Sequence, residues 1–172
     1  DDFERYLDAR TKERFFSLVF LDNVHEYSFD KNQEKIFTPT EQSFNYMELS
    51  PSTNIEPYRN LAKNASYAAD KNLGRIFGIL KERKLLEDTI VIVTADHGDE
   101  LNDNGLNYWG HNSNFSSAQT KVPLVVSWPG RQGEEIKKLS TAYDVSTTLL
   151  KHAFGVENQI RDYAMGEDLF SL

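Results

Sequence analysis

Two stretches of continuous apolar character punctuate an otherwise polar chain. Phe15-Phe16-Ser17-Leu18-Val19-Phe20-Leu21 is followed by a polar turn that contains His25. Thr89-Ile90-Val91-Ile92-Val93 is followed by Thr94-Ala95-Asp96-His97-Gly98-Asp99-Glu100. Short β-branched runs without polar alternation predict strands covered on both faces, as in a parallel sheet. A third such run, Val122 to Trp128, has Pro123 near its start, where a proline does not remove a central ladder bond. Pro129-Gly130 closes it with a turn.

Between the first two strands the pattern changes to helical spacing. Leu61, Ala65, Ala68, Leu73, Ile76, Phe77 and Leu80 recur at intervals of three and four. Pro57 suits the first turn of that helix, and Lys81, Arg83 and Lys84 gather at its carboxyl end, where cations complement the helix dipole. Such a helix, returning the chain to Thr89, predicts a right-handed βαβ connection. Residues 1–12 predict a short helix with Phe3, Tyr6 and Leu7 on one face. Asp144 is expected to cap a helix that runs to Phe154 and stops at Gly155. Residues 26–56 form a long polar stretch carrying Phe37, Phe44 and Tyr46, either a wall of a site or a surface excursion held by its aromatics. Together these elements predict an α/β fold, with a mostly parallel sheet flanked by helices.

Candidate chemistry follows from the strand ends, because ligands of open α/β sheets sit beyond the carboxyl ends of the strands. Asp96 offers a hard oxygen and His97 an imidazole nitrogen, a pair suited to a divalent ion, with Gly98 letting the backbone turn beside it. An ordinary strand-to-loop corner is the alternative for that tripeptide alone. The chain has four histidines. Two of them, His25 and His97, follow the first two strand-like runs, and His111 lies in a loop rich in Gly, Asn and aromatics. His152 falls in the last turn of a predicted helix and has a structural reading. Asp99 and Glu100 are read as shaping the loop on a solvated face. Tyr108 and Trp109 are read as loop anchors in preference to stacking surfaces for a substrate.

These segments resemble the sulfatase-like branch of the alkaline phosphatase superfamily. The resemblance runs through Phe15–His25, Leu85–Glu100, Tyr108–Ser113, Lys121–Gly130, Tyr143–Gly155 and Gly166–Phe170. The version Tyr108-Trp109-Gly110-His111-Asn112-Ser113-Asn114 is most similar to the inner-membrane sulfatase-like proteins of Gram-negative bacteria, the YejM/PbgA type. The resemblance implies that Asp96 and His97 are metal ligands. It implies that His25 and His111 are catalytic residues facing a phosphate or sulfate group, and it leaves Lys121 loosely aligned with a basic position. The implied cofactor is a divalent metal ion, Zn, Mn, Mg or Ca. The implied partners are a sulfate or phosphate ester substrate, with a lipid head group as a candidate, and the implied location is the periplasmic face of the bacterial inner membrane.

The family's nucleophile is a Cys, Ser or Thr well upstream of the segment matching Phe15, and this chain contains no Cys. Residues 1–172 are therefore expected to be the C-terminal portion of a larger hydrolase domain, inactive alone, with any membrane anchor elsewhere in the parent. Two functions remain open from the resemblance. One is a metal-dependent hydrolase or transferase of sulfate or phosphate esters. The other is a periplasmic, membrane-anchored regulator or lipid-binding protein of outer-membrane lipid homeostasis on the same fold. A third reading, an unrelated metal-binding α/β protein, would leave His25 far from His97.

Composition narrows the picture further. With 172 residues, 39% of them hydrophobic and 27% charged, the chain can bury a real core. A formal net charge of −8 argues against a nucleic-acid partner. No apolar run approaches the roughly 20 residues that span a bilayer. Asn64-Ala65-Ser66 and Asn114-Phe115-Ser116 are formal glycosylation sequons, read as chance matches.

Overall fold

The structure, a computed structural model, describes residues 2–11, 13–25, 27–28, 33–111 and 114–171. The expected ends of the first helix at Asp1 and Lys12, parts of the long polar stretch (26 and 29–32), and Asn112 and Ser113 of the His111 motif lie outside the described residues. Two compact units divide the chain, Asp1–Pro129 and Gly130–Leu172.

The first unit is organised on one long helix. After α1 (Asp2–Ala9), α2 spans Glu56–Glu82, with a proline in its first turn as the sequence predicts. The two halves of α2 serve different cores. Near its carboxyl end, Ile79 and Leu80 pack with Phe3 and Leu7 of α1, supported by Phe15, Ile76 and Val91. Near its amino end, Leu61 and Ala65 pack with Tyr27 and Leu101, supported by Phe44 and Trp109. That second core is the floor of the histidine loops.

The strands correct the expected sheet. β1 (Val91–Thr94) pairs with β4 (Leu124–Ser127), and β2 (Glu100–Leu101) pairs with β3 (Trp109–Gly110). Both pairs are antiparallel, so the mostly parallel sheet predicted from the sequence is not formed among the described residues. The reason lies in the connection. A parallel return requires a crossover to the opposite end of the strand, whereas the described part of the segment between β1 and β4, the β2–β3 hairpin and α3 (Ser117–Thr120), returns the chain at the end it left. Thr94 stands opposite Leu124, so the chain leaves β1 and re-enters β4 at the same end. All the loops between them are gathered there.

Phe15–Leu21 forms neither helix nor strand and pairs with no described strand, so the predicted βαβ unit is not formed among the described residues. Phe16, Leu18 and Phe20 are 82%, 83% and 75% exposed. β-propensity favours an extended backbone, but a ladder needs a neighbour, and propensity supplies none. β4 is likewise covered on one face only, since its residues alternate between half-buried and exposed.

The second unit is held by α4 (Ala142–His152) and the segment that follows it. Thr141, not Asp144, is the N-cap. Asp144 is the reciprocal member of a capping box, accepting from the Thr141 amide at 2.6 Å. Its other oxygen accepts from the Glu167 amide at 2.7 Å. Gly166 makes this approach possible, because a Cβ there would stand 2.3–2.6 Å from the backbone of Tyr143 and Asp144. His152 has the structural role expected of it. Its Nε2 and the Lys151 ammonium, at 2.9 and 2.7 Å, both reach the buried Asp168 carboxylate.

Burial opposes the charge on Asp168, but hydrogen bonds from Lys151, His152, Phe170 and Ser171 overcome it and hold the carboxyl below its ordinary range. A depressed carboxyl stabilises the fold above its unfolded pKa, about 3.9, and the contribution is lost as pH falls through the lower folded value. Asp168→Asn is expected to destabilise this unit by about 1–3 kcal/mol at neutral pH. It should also flatten the acid side of its stability profile, read from amide exchange in α4 against pH.

Candidate functional site

The site is built where β1 ends. Asp96 lies two residues beyond the strand, and its Oδ1 accepts from the backbone N–H of His97 at 3.1 Å. Gly98 then lies against α3: its N–H donates to the Gln119 carbonyl at 2.8 Å. A Cβ on Gly98 would meet the Ala118 carbonyl oxygen at 2.2 Å. Its φ is not positive, so the glycine serves close backbone approach and not the sharp turn the sequence suggested.

Glu100 begins β2 and is fully buried. It accepts from Asn104 at 2.9 Å, from the Ser116 hydroxyl at 2.8 Å and from Gln119 at 3.4 Å. Burial works to raise its pKa, but these bonds and one from Asn114 outweigh it, so the carboxyl stays low and ionised. Asn114 also accepts from the Ser116 amide and from Gln119. Asn64 is buried, with its amide paired to both backbone groups of Phe37. Both sequons are thus absorbed by structure, in agreement with reading them as chance.

On this frame the loop histidines converge. The ring centroids of His97 and His111 are 4.1 Å apart, and those of His25 and His111 are 5.5 Å apart. A metal-binding protein of unrelated fold would leave His25 remote, whereas His25 and His97 both pack on His111. One carboxylate missed by the sequence reading joins them. Asp99 is only 18% exposed in its side chain and contacts Nδ1 of His111 at 2.8 Å. Ligand atoms of His97, Asp99 and His111 all lie within 4.8 Å of one another. Asp96 stands at the open margin, 79% exposed, with Oδ2 3.7 Å from Nε2 of His97. His25 is half exposed, and its Nδ1 is 3.8 Å from Asp22. Lys121 is exposed.

Two imidazoles and neighbouring carboxylates are a donor set that fits a borderline divalent ion. Nδ1 of His97 faces the Gly98 carbonyl at 3.2 Å, and Nδ1 of His111 faces Asp99. Occupying Nδ1 with an acceptor leaves Nε2 for an ion or a substrate, the usual arrangement around metal-bound histidine.

Behind Asp99 sits Tyr27, buried, with its hydroxyl donating to Asp99 Oδ2. Burial first, then the bond to Asp99 and its charge, push the Tyr27 phenol far above its ordinary pKa, so it remains protonated. Phe44 stacks on Tyr27 at 4.6 Å and touches Tyr58 at 4.9 Å, and Trp109 packs on Tyr58 at 5.5 Å. The long polar stretch therefore supports the site through its aromatics, and Trp109 anchors the loop.

Asp99 had one sequence signal. Asp96, Asp99 and Glu100 place three acids in five positions, more than a solvated corner requires. Tyr27 had none, since its contact with Asp99 spans 72 positions.

A sequence profile of the sulfatase family matches residues 1–156. The inner membrane protein YejM of Salmonella typhi is 30% identical over 134 residues, which cover 75% of this chain and 22% of that protein. Choline-sulfatase of Rhizobium meliloti (strain 1021) is 32% identical over 107 residues, 62% of this chain and 20% of that enzyme. Human iduronate 2-sulfatase is 33% identical over 88 residues, 48% of this chain and 16% of the enzyme. The chain thus spans roughly a fifth of the length of these relatives.

Gly98→Ala is expected to cost about 1–3 kcal/mol in a urea titration, because backbone, not a flexible side chain, must give way. Gly78→Ala, in α2 with nothing within 4 Å of the added Cβ, should instead stabilise by about 0.5–1 kcal/mol.

Proposed function

The chain belongs to the sulfatase family, and from that premise we propose that it is the C-terminal portion of a metal-dependent hydrolase or transferase domain for sulfate or phosphate esters. The convergence of His25, His97 and His111 with Asp96 and Asp99 at one strand end carries this reading. Sulfatases among the relatives favour a sulfate ester as the substrate class.

In this reading Asp96 and His97 hold a divalent ion, Zn, Mn, Mg or Ca. Such an ion acts as a Lewis acid on the ester oxygen and lowers the pKa of an attached nucleophile. His111 and His25 meet the anionic group of the substrate. As imidazoles they can accept a proton or, once protonated, donate to an oxygen on which charge builds. Glu100 and Gly98 fix the loop, so the donors are positioned before the substrate arrives.

The nucleophile belongs to the rest of the parent protein, and this chain alone is expected to be inactive. In this reading the mostly parallel sheet also belongs to that parent, with segment 15–21, whose Phe16, Leu18 and Phe20 are exposed here, as one of its strands. Similarity to the inner membrane protein YejM supports an inner-membrane parent, and in this reading the site lies on its periplasmic face. No described helix of this chain is long and apolar enough to cross a membrane.

A second reading has its own support. The match to YejM covers three-quarters of the chain. In this second reading the parent is a membrane-anchored regulator or lipid-binding protein, with a lipid head group as its ligand.

The two are separated by assaying the parent on p-nitrophenyl sulfate and p-nitrophenyl phosphate, with metal added or chelated. The enzyme reading expects turnover that chelation removes and that Asp96→Ala reduces to background. A folded parent that turns over neither ester, with or without metal, contradicts it and leaves the regulatory reading.

A further inference from the structure

We infer that Asp99, itself held by Tyr27, is a positioning residue that fixes His111 in the Nδ1–H tautomer, so that a bare Nε2 lone pair faces the site. The inference rests on the proposed role of His111 and adds the direction in which that ring works. An ionised carboxylate only accepts. At 2.8 Å from Asp99 Oδ1, Nδ1 of His111 must therefore be the protonated nitrogen. A neutral imidazole has one proton, so its Nε2 then carries the lone pair. Free histidine prefers the opposite tautomer, and the setting therefore imposes this one.

Asp99 cannot readily turn away from its task. Its second oxygen receives the Tyr27 hydroxyl, and Tyr27 is only 7% exposed. Tyr27 also adopts φ +49°, a left-handed conformation that a bulky residue takes only when its surroundings impose it. The Ser28 amide bonded to the Asn23 carbonyl at 2.8 Å closes that turn, and Phe44 stacks on the ring from outside. Three segments far apart in sequence thus converge on one imidazole nitrogen. The chemical consequence is specific: neutral His111 binds a cation or takes up a proton at Nε2, and it donates to a substrate oxygen only after gaining that proton.

Long-range proton–nitrogen NMR of the imidazole rings in this 172-residue chain tests the inference, at an alkaline pH where ordinary imidazoles are neutral. Expected for His111 is a protonated, pyrrole-type Nδ1 and an unprotonated, pyridine-type Nε2. In Asp99→Asn the carboxamide oxygen keeps the Tyr27 proton and its NH2 faces Nδ1. The ring should then invert to the Nε2–H tautomer, the fault known from the aspartate-to-asparagine change in serine protease triads. Removing the Tyr27 hydroxyl as well, in Asp99→Asn with Tyr27→Phe, frees the amide to rotate. The Nδ1–H fraction should then rise above that of the single variant.

A wild-type His111 that is mainly Nε2–H overturns the proposal without recourse to any variant. An Asp99→Asn spectrum with an unchanged tautomer overturns the role of Asp99, and no rise in the double variant removes Tyr27 from it. The tautomer is read without substrate or turnover. A failure here is therefore distinct from a failure of ester hydrolysis in the parent.

Discussion

The buried carboxylate of Glu100 is the constraint on which the rest of the site depends. A fully buried charge is tolerable only when its lone pairs are filled. Here the donors come from both flanks, Asn104 from the β2–β3 turn, Asn114 and Ser116 from the segment leading into α3, and Gln119 from α3 itself. Satisfying Glu100 therefore forces two loops to lie side by side. Once they do, the Gly98 amide reaches the Gln119 carbonyl, and the five residues between β1 and Glu100 have little freedom. Asp96, His97 and Asp99 occupy three of those intervening positions downstream of Thr94. A structural acid thus sets the pose of the chemical ones.

The second support is apolar. α2 presents Leu61 and Ala65 to Tyr27 and Leu101, and the aromatic group of Phe44, Tyr58 and Trp109 closes over them. Large rings immobilise irregular backbone at small cost in side-chain entropy, which suits loops with few ladder bonds of their own. This packing brings the turn after residue 21 to the loops after β1, and with it His25 to His111. Polar bonding on one side and aromatic packing on the other hold groups that sequence separates by scores of residues.

What could be read from the chain alone follows the range of the forces involved. α2 and α4 were legible because helical periodicity and end signals such as Pro57 and Gly155 are local. β1 and β4 were legible as strands, but the parallel edge expected to bring His25 to His97 does not form among the described residues, and the histidines meet through His111. Pairing direction was not legible, since it depends on how the intervening loops fold back, and a β-branched run reads alike in either sense. Phe15–Leu21 shows the limit in the other direction: its pattern specifies extension but not a neighbour. Asp99 and Glu100 were taken for a solvated face because acids usually are. Only the donors at positions 104, 114, 116 and 119 make Glu100 a core residue, and only Tyr27 and His111 give Asp99 its place. The capping of α4 by Thr141 was missed for a smaller reason, because in a capping box the N-cap and the acid three residues later look equally suitable.

The central claim is that the three loop histidines gather around one cation site, held in this chain by Asp96 and His97. Titrating Mn2+, a paramagnetic divalent ion, into labelled protein while following the imidazole resonances tests it most directly. The account predicts that His25, His97 and His111 broaden together at the same metal concentration, and that Asp96→Ala with His97→Ala abolishes the joint effect. Broadening of a single ring with the other two left sharp, or no broadening at all, would contradict it.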